Sequence, residues 1–327
     1  MVKDNTIHKI AVFTSGGDAP GMNACIRAVV RKATYHQLEV YGIMKGYEGM
    51  IDGEIIPMDS RSVSNIIHRG GTILKSARSK RFLTYEGRQK AYENLKVCGI
   101  DGVVAIGGDG TFRGAQVFSN EFNIPFIGLP GTIDNDLSGT DFTIGYDTAI
   151  NTAMEAIDKI RDTADAHERL FFVEVMGRDA GFIALRSGIA SGAEDILIPE
   201  IETNLAALSD KLGAKKHKDS MIVVVSEGDD AGDAFKISNY ISEKHPEYDI
   251  RVTVLGHVQR GGSPTCMDRM LASRLGIESV NALLQGKQNV MIGIINDKLY
   301  FTPFDSATKH HTKIKPYLKE MMDILSI

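Results

Sequence analysis

Residues 9–21 read Lys-Ile-Ala-Val-Phe-Thr-Ser-Gly-Gly-Asp-Ala-Pro-Gly, and this stretch decides the fold. Lys9–Thr14 is a short, nearly continuous apolar run of the kind that is buried on both faces of a sheet. Ser15-Gly16-Gly17-Asp18 then reads as a turn. Pro20 suits the first position of a helix. Beyond it, Met22, Cys25, Ile26, Val29, Val30 and Ala33 fall on one stripe at helical spacing. The unit is strand, glycine-rich turn, helix.

The unit recurs along the chain. A strand at 102–106 runs into Gly107-Gly108-Asp109-Gly110-Thr111. One at 124–129 runs into Pro130-Gly131-Thr132-Ile133-Asp134-Asn135-Asp136. Strands at 170–176 and 221–225 lead to Gly177-Arg178-Asp179 and Ser226-Glu227-Gly228. Ala149, Ala153, Ala156, Ile157 and Ile160 form a second helical stripe. Alternating strand and helix predicts an α/β fold with mostly parallel sheets. In such folds ligands sit at the carboxyl ends of strands, where these turns lie.

The chain has 327 residues, which favours two domains. Hydrophobic residues at 43% and charged residues at 24% are enough for packed cores. A net charge of -5 argues against nucleic-acid binding, which calls for a basic excess. Cys25, Cys98 and Cys266 are far apart and form no CxxC pair, so they suggest neither a disulfide nor a metal framework. They fit a reducing compartment. Residues 1–8 lack the apolar core of a signal peptide, and no apolar run is long enough to span a bilayer. The expectation is a soluble, cytoplasmic protein with no membrane association.

Each turn carries its own chemistry. Paired glycines at 16 and 17 let backbone N–H groups approach a phosphate at a helix N-terminus. Taken alone, that turn reads equally well as a bare strand–helix connection. It is not the GxGxxG fingerprint, and the chain has no GxxxxGK(S/T) loop. Asp109 among glycines can hold Mg²⁺ against a phosphate chain, with Thr111 and the Gly110 amide adding hydrogen bonds. In Asp134-Asn135-Asp136, one carboxylate can act as general base on a hydroxyl while the other positions the site or the metal's waters. Exposed acids of an Asx-turn would look the same in isolation.

Together, TSGGDAPGMN, RGGT, SAR, GGDGT, PGTIDND, VEVMGR and LGHVQRGGSP resemble, in order and spacing, the bacterial ATP-dependent 6-phosphofructokinases. The resemblance covers nearly the whole chain and weakens near the C-terminus. It implies the glycolytic transfer of the γ-phosphate of MgATP to the 1-hydroxyl of fructose 6-phosphate. Gly17, Tyr47, Arg78, Asp109, Gly110, Thr111 and Gly114 would line the nucleotide, with Asp109 as the Mg²⁺ ligand. Asp134 would be the base. Thr132, Asp136, Arg78 and Arg178 would surround the transferring group. Met176, Gly177, Arg178, Glu227, His257 and Arg260 would hold the sugar phosphate, whose 6-phosphate suits arginine forks. Arg169 and Arg251 would reach a neighbouring subunit's site in a homotetramer. An ADP or phosphoenolpyruvate effector would meet Arg27, Arg31, Arg161, Glu194 and Lys218.

The chain departs from the family pattern in three places. Lys216-His217-Lys218-Asp219 stands for Gly-Lys-Lys-His, Ser60 replaces a common arginine, and Ser79 follows Arg78 where an aromatic is usual. An altered effector response is therefore expected. Relatives that use pyrophosphate carry Asp and Lys at the positions of Gly110 and Gly131, so ATP is the expected donor. A non-catalytic nucleotide sensor would have lost Asp109, Asp134 or Asp136, and all three are present. GGDGT alone also fits an NAD or lipid kinase, but that leaves PGTIDND and HVQRGGSP unexplained.

The implied architecture is two Rossmann-like three-layer domains with mostly parallel sheets and the active site in the cleft between them. The larger, ATP-binding domain takes 1–145 plus 260–312. The smaller, fructose 6-phosphate-binding domain takes 146–259 plus 313–327. His310-His311 reads as an exposed polar stretch, and Met321-Met322 as ordinary helix packing.

Overall fold

The structure, a computed structural model of the chain, describes residues 7–215, 220–309 and 314–325. The strands are β1 (Lys9–Thr14), β2 (Glu39–Ile43), β3 (Ile55–Met58), β4 (Gly102–Gly107), β5 (Phe126–Pro130), β6 (Leu170–Val175), β7 (Asp195–Leu197), β8 (Met221–Ser226), β9 (Ile250–Val254), β10 (Val290–Ile295) and β11 (Lys298–Pro303). The helices are α1 (Met22–Tyr35), α2 (Tyr47–Asp52), α3 (Tyr85–Cys98), α4 (Asp109–Phe122), α5 (Tyr146–His167), α6 (Phe182–Ala190), α7 (Leu205–Ala214), α8 (Ala234–Lys244), α9 (Cys266–Leu284) and α10 (Pro316–Leu325).

The described residues fall into two compact units. One comprises 7–133, 137–147 and 260–309. Its seven-stranded sheet has the order β11-β10-β5-β4-β1-β2-β3. The inner pairs are parallel, and antiparallel β3 and β11 close the two edges. The other unit comprises 134–136, 148–215, 220–259 and 314–325. Its four-stranded sheet, β7-β8-β6-β9, is parallel throughout.

Packing follows the sequence pattern. The stripe Met22, Cys25, Ile26, Val29, Val30 and Ala33 is wholly buried on α1. Each large side chain removed from water in this way stabilises the fold by roughly 1.5–3 kcal/mol. The close approach of α1 and α9 requires Gly276, because a Cβ there would lie 2.7 Å from the Ala28 Cβ and 2.8 Å from the Cys25 carbonyl. Phe13, Phe112, Phe118, Phe126 and Phe304 fill the core of the first unit. Phe172, Leu212, Val223, Ile237 and Ile241 fill that of the second.

Two expectations are corrected. The strand read at 124–129 is Phe126–Pro130, because Pro125 has no N–H to give a ladder and contributes only its carbonyl, to Val103 N. Met321 is 40% exposed on α10, where Leu318 is the buried residue. Met321 therefore does not pack, while Met322 is half-buried. The His310-His311 reading lies outside the described residues. The three cysteines are free thiols, and complete burial pushes that of Cys25 up. Among the described residues, no helix is long and apolar enough to cross a membrane.

Candidate active site

The helices differ in how their N-termini are capped. α3, α7, α8 and α9 are capped by the side chains of Thr84, Asn204, Asp233 and Thr265. Such caps stabilise a helix by about 1 kcal/mol each. α1 and α4 begin at Gly21 and Gly108, without a side-chain cap. Met22 N and Thr111 N turn to the Ala19 and Gly108 carbonyls, and the remaining first-turn N–H groups suit an anion.

Around α4 the glycines have distinct uses. A Cβ at Gly108 or Gly110 would meet nothing within 4 Å, so the surface over this first turn is open. A Cβ at Gly114 would lie 3.0 Å from the Tyr47 ring. Tyr47 stacks on Phe82 at 3.9 Å between centroids and donates from its hydroxyl to the Thr111 carbonyl at 2.6 Å. Burial raises the pKa of that hydroxyl. Tyr47 is thus a packed wall under α4 rather than an exposed ligand contact. Gly114 makes room for that wall. Thr111 is buried as well, and its amide goes to the Gly108 carbonyl at 3.0 Å. Phe82 sits four residues after Arg78 and packs inward, so it supplies no aromatic surface beside that arginine.

Asp109 is the first residue of α4, where a carboxylate complements the helix dipole. Its Oδ1 accepts from Arg113 Nε at 2.9 Å. Among the described residues no three His, Cys, Asp or Glu side chains gather as a metal cage. This donor set fits an ion that arrives with its ligand. Mg²⁺ commonly takes one or two protein carboxylates, the rest being phosphate oxygens and water.

The first turn is held by other segments. Thr14 Oγ1 donates to the Lys75 carbonyl at 2.8 Å, and Ser76 Oγ to the Gly16 carbonyl at 2.5 Å. Arg260 Nη1 donates to the Asp18 carbonyl at 3.2 Å, and a Cβ at Gly17 would lie 2.5 Å from the same nitrogen. Arg260, expected on the sugar phosphate, is therefore turned onto the first turn. His257 is exposed on the short helical segment Gly256–Arg260. Arg78 is exposed.

The loop after β5 is anchored at both ends. Gly131 bridges to Ile144, and Thr143 Oγ1 donates to the Thr132 carbonyl at 2.5 Å. Asp134 and Asp136 are buried, at 3% and 6% exposure, which contradicts a solvated Asx-turn. Arg178 Nε lies 3.7 Å from Asp134 Oδ2. Arg178 has φ 53°, and its amide donates to Glu227 Oε1 at 2.7 Å. The Gly177 amide reaches the same oxygen at 3.4 Å. Met176 is buried beside them. Asp134, Gly177, Arg178 and Glu227 are thus brought together.

Arg169 and Arg251 also converge. Arg169 Nε and Arg251 Nη2 both reach the Asp249 carboxylate, at 2.6 and 2.9 Å. The Arg169 hydrogen bond, helped by the charge of Arg251, holds that carboxyl below the usual range. Asp249 went unremarked in the sequence, where its only signal is its place two residues before Arg251.

The effector set divides. Arg27 is half-buried beside Arg31 on α1, and burial followed by the Arg31 charge lowers its pKa. Arg161 Nη2 donates to the Ser191 and Gly192 carbonyls at 2.8 and 3.0 Å. Glu194 is buried and accepts the Ile222 amide. Lys218 lies outside the described residues.

Comparison with known proteins identifies the family. The family model for phosphofructokinase matches residues 9–283. A protein of Cytophaga hutchinsonii named ATP-dependent 6-phosphofructokinase is 59% identical over 319 residues, covering 97% of this chain and 96% of its own. ATP-dependent 6-phosphofructokinase 1 of Thermus thermophilus is 56% identical over 321 residues, covering 98% and 99%. Among solved structures, phosphofructokinase from Saccharomyces cerevisiae superposes with a TM-score of 0.89 at 35% identity. The match covers 98% of this chain and 48% of the yeast chain, so the chain spans about half the length of that relative. The pyrophosphate-dependent phosphofructokinase from Marinobacter aquaeolei, at 24% identity and a TM-score of 0.84 over 98% of this chain and 91% of its own, shares the fold. With identity above one half across nearly its full length, and a family model that reaches from β1 into α9, the chain belongs to the phosphofructokinase family.

Proposed function

We propose that this chain transfers the γ-phosphoryl group of ATP to the 1-hydroxyl of fructose 6-phosphate. The observation that carries the reading is the buried Asp134 facing the Arg178 guanidinium at 3.7 Å. Phosphoryl transfer asks the protein for positioning and positive charge, with one group to take the hydroxyl proton. Asp134 takes the proton from the 1-hydroxyl. That oxygen bonds to the γ-phosphorus, the bond to the β-phosphate oxygen breaks, and ADP leaves with the electron pair. Arg178 and Arg78 offset the charge spread over the transferring oxygens. Thr132 and Asp136 shape the loop around them.

On this reading, residues 1–145 plus 260–312 bind ATP, and residues 146–259 plus 313–327 bind fructose 6-phosphate. The donor lies on Gly17, Gly110 and the first turn of α4, with Tyr47, Thr111 and Gly114 as the packed support beneath. Asp109 would hold a Mg²⁺ ion, which when bound neutralises donor phosphate charge. Met176, Gly177, Arg178, Glu227, His257 and Arg260 receive the sugar phosphate. Arg260 leaves Asp18 to do so. Arg169 and Arg251 serve a neighbouring subunit's site in a homotetramer. ADP or phosphoenolpyruvate acts as effector through Arg27, Arg31, Arg161, Glu194 and Lys218. The protein works in the cytoplasm.

The open surface over Gly110 favours ATP over pyrophosphate, since a side chain there would fill nucleotide space. Gly131 points the same way. A Cβ there would lie 3.0 Å from Ile106 Cγ2 and 3.1 Å from Met22 Cε, so a lysine would need both to shift. A coupled assay for fructose 1,6-bisphosphate, with MgATP or Mg-pyrophosphate as donor, tests the proposal. Turnover with MgATP is expected. Turnover with pyrophosphate alone would overturn the donor, and silence with both would overturn the reaction.

A further inference from the structure

Among the described residues, three cations stand at positive φ: Lys45 at 55°, Lys75 at 58° and Arg178 at 53°. Side chains bearing a Cβ disfavour this region, and where they occupy it something must compensate. Lys45 has Glu54 at 2.7 Å, and Arg178 has Asp134. Lys75 is exposed, and among the described residues its ammonium has no hydrogen bond or ion pair.

The backbone of Lys75 is nonetheless fixed. Its amide donates to the Thr72 carbonyl at 3.1 Å, and its carbonyl accepts from Thr14 Oγ1 at 2.8 Å. On either side, the Leu74 carbonyl accepts from Lys45 N at 2.7 Å, and Ser76 Oγ donates to the Gly16 carbonyl. A fixed, disfavoured backbone thus holds Lys75, an exposed lysine, against the glycine turn that precedes the uncapped N-terminus of α1. A purely structural turn at this φ would be met more cheaply by glycine or asparagine. The chemistry that repays a fixed cation here is a polyanion on the first turn.

We propose that Lys75 is a further donor-binding residue, its ammonium contacting the phosphate oxygens of the nucleotide alongside Arg78. The inference rests on the reading of ATP as donor. It makes binding of the donor, rather than of the sugar phosphate, sensitive to this side chain.

Calorimetric titration with the magnesium complex of a non-hydrolysable ATP analogue tests it, with steady-state kinetics in parallel. K75Q removes the charge and keeps the backbone strain, whereas K75G removes both. Both variants are expected to bind the analogue about five- to tenfold more weakly, as loss of one charged contact implies. KM for fructose 6-phosphate should be unchanged. The deficit should narrow in high salt, where an exposed charge is screened. Binding of K75Q as tight as wild type would overturn the proposal, as would weakening confined to K75G, which would trace the effect to the backbone. If wild type itself fails to bind the analogue, the donor reading falls first and takes this inference with it.

Discussion

Glu227 grips Arg178 by the backbone: its Oε1 accepts the Arg178 amide at 2.7 Å and the preceding Gly177 amide at 3.4 Å. This carboxylate therefore fixes a positive-φ arginine whose guanidinium faces Asp134. Glu227, expected from the family resemblance to touch the sugar, has a positioning task as well. Glu227→Ala should lower kcat/KM for fructose 6-phosphate by about 10- to 100-fold, as loss of hydrogen bonds to a charged acceptor implies. Glu227→Gln keeps an acceptor oxygen and should recover most of that loss. Steady-state kinetics of the two variants check it, and equal defects would show that the backbone grip is irrelevant.

Asp134→Asn is nearly isosteric and leaves the loop anchors at Gly131 and Thr143 intact. On the proposed mechanism it removes the proton acceptor, and it weakens the attraction to Arg178. Turnover should fall on the order of thousands-fold, with substrate binding largely kept. Near-wild-type turnover would remove Asp134 from the role of base.

Gly17 and Arg260 compete for one space, since an added Cβ would lie 2.5 Å from Arg260 Nη1. The obstacle is the far end of a flexible side chain, so Gly17→Ala should fold with its arginine displaced. Tm should drop by a few degrees, corresponding to about 1 kcal/mol. Adding Arg260→Ala should then cost less than it does alone. A double-mutant cycle on thermal unfolding measures the coupling, and simple additivity would mean that the two residues do not meet.

The strands visible in the sequence were those buried on both faces. β1, β4, β5, β6 and β8 read as apolar runs and lie in the interiors of the sheets. The edge strands β3, β9 and β11 alternate or mix burial, as in Ile250–Val254, and short half-exposed runs leave a weak trace. The candidate site was legible as residue types at turns: Asp109, Asp134, Asp136 and the glycines. What escaped was where polar groups are spent. Arg260 on Asp18, the Tyr47 hydroxyl on Thr111 and both arginines on Asp249 are long-range or conformational facts. No spacing encodes them.

Asp229 supplies a test of stability against pH. It is buried after β8, its Oδ1 accepts from Ala231 N at 3.0 Å and its Oδ2 from Thr203 Oγ1 at 2.9 Å. Burial is the largest influence and raises its pKa. The Asp230 charge pushes the same way, and the two accepted hydrogen bonds pull back without cancelling the rise. A carboxyl whose folded pKa exceeds its unfolded value binds more protons when folded. Its charge therefore destabilises the fold at neutral pH. That penalty fades as pH falls through the raised folded pKa and is absent below the unfolded value of about 3.9. Asp229→Asn can keep both neighbours, its oxygen accepting from Ala231 and its amide donating to the Thr203 hydroxyl. The variant should melt above wild type at pH 7–8, with the gap closing toward pH 4. A gap that widened on acidification would mean that the hydrogen bonds outweigh burial and that this carboxylate stabilises the loop.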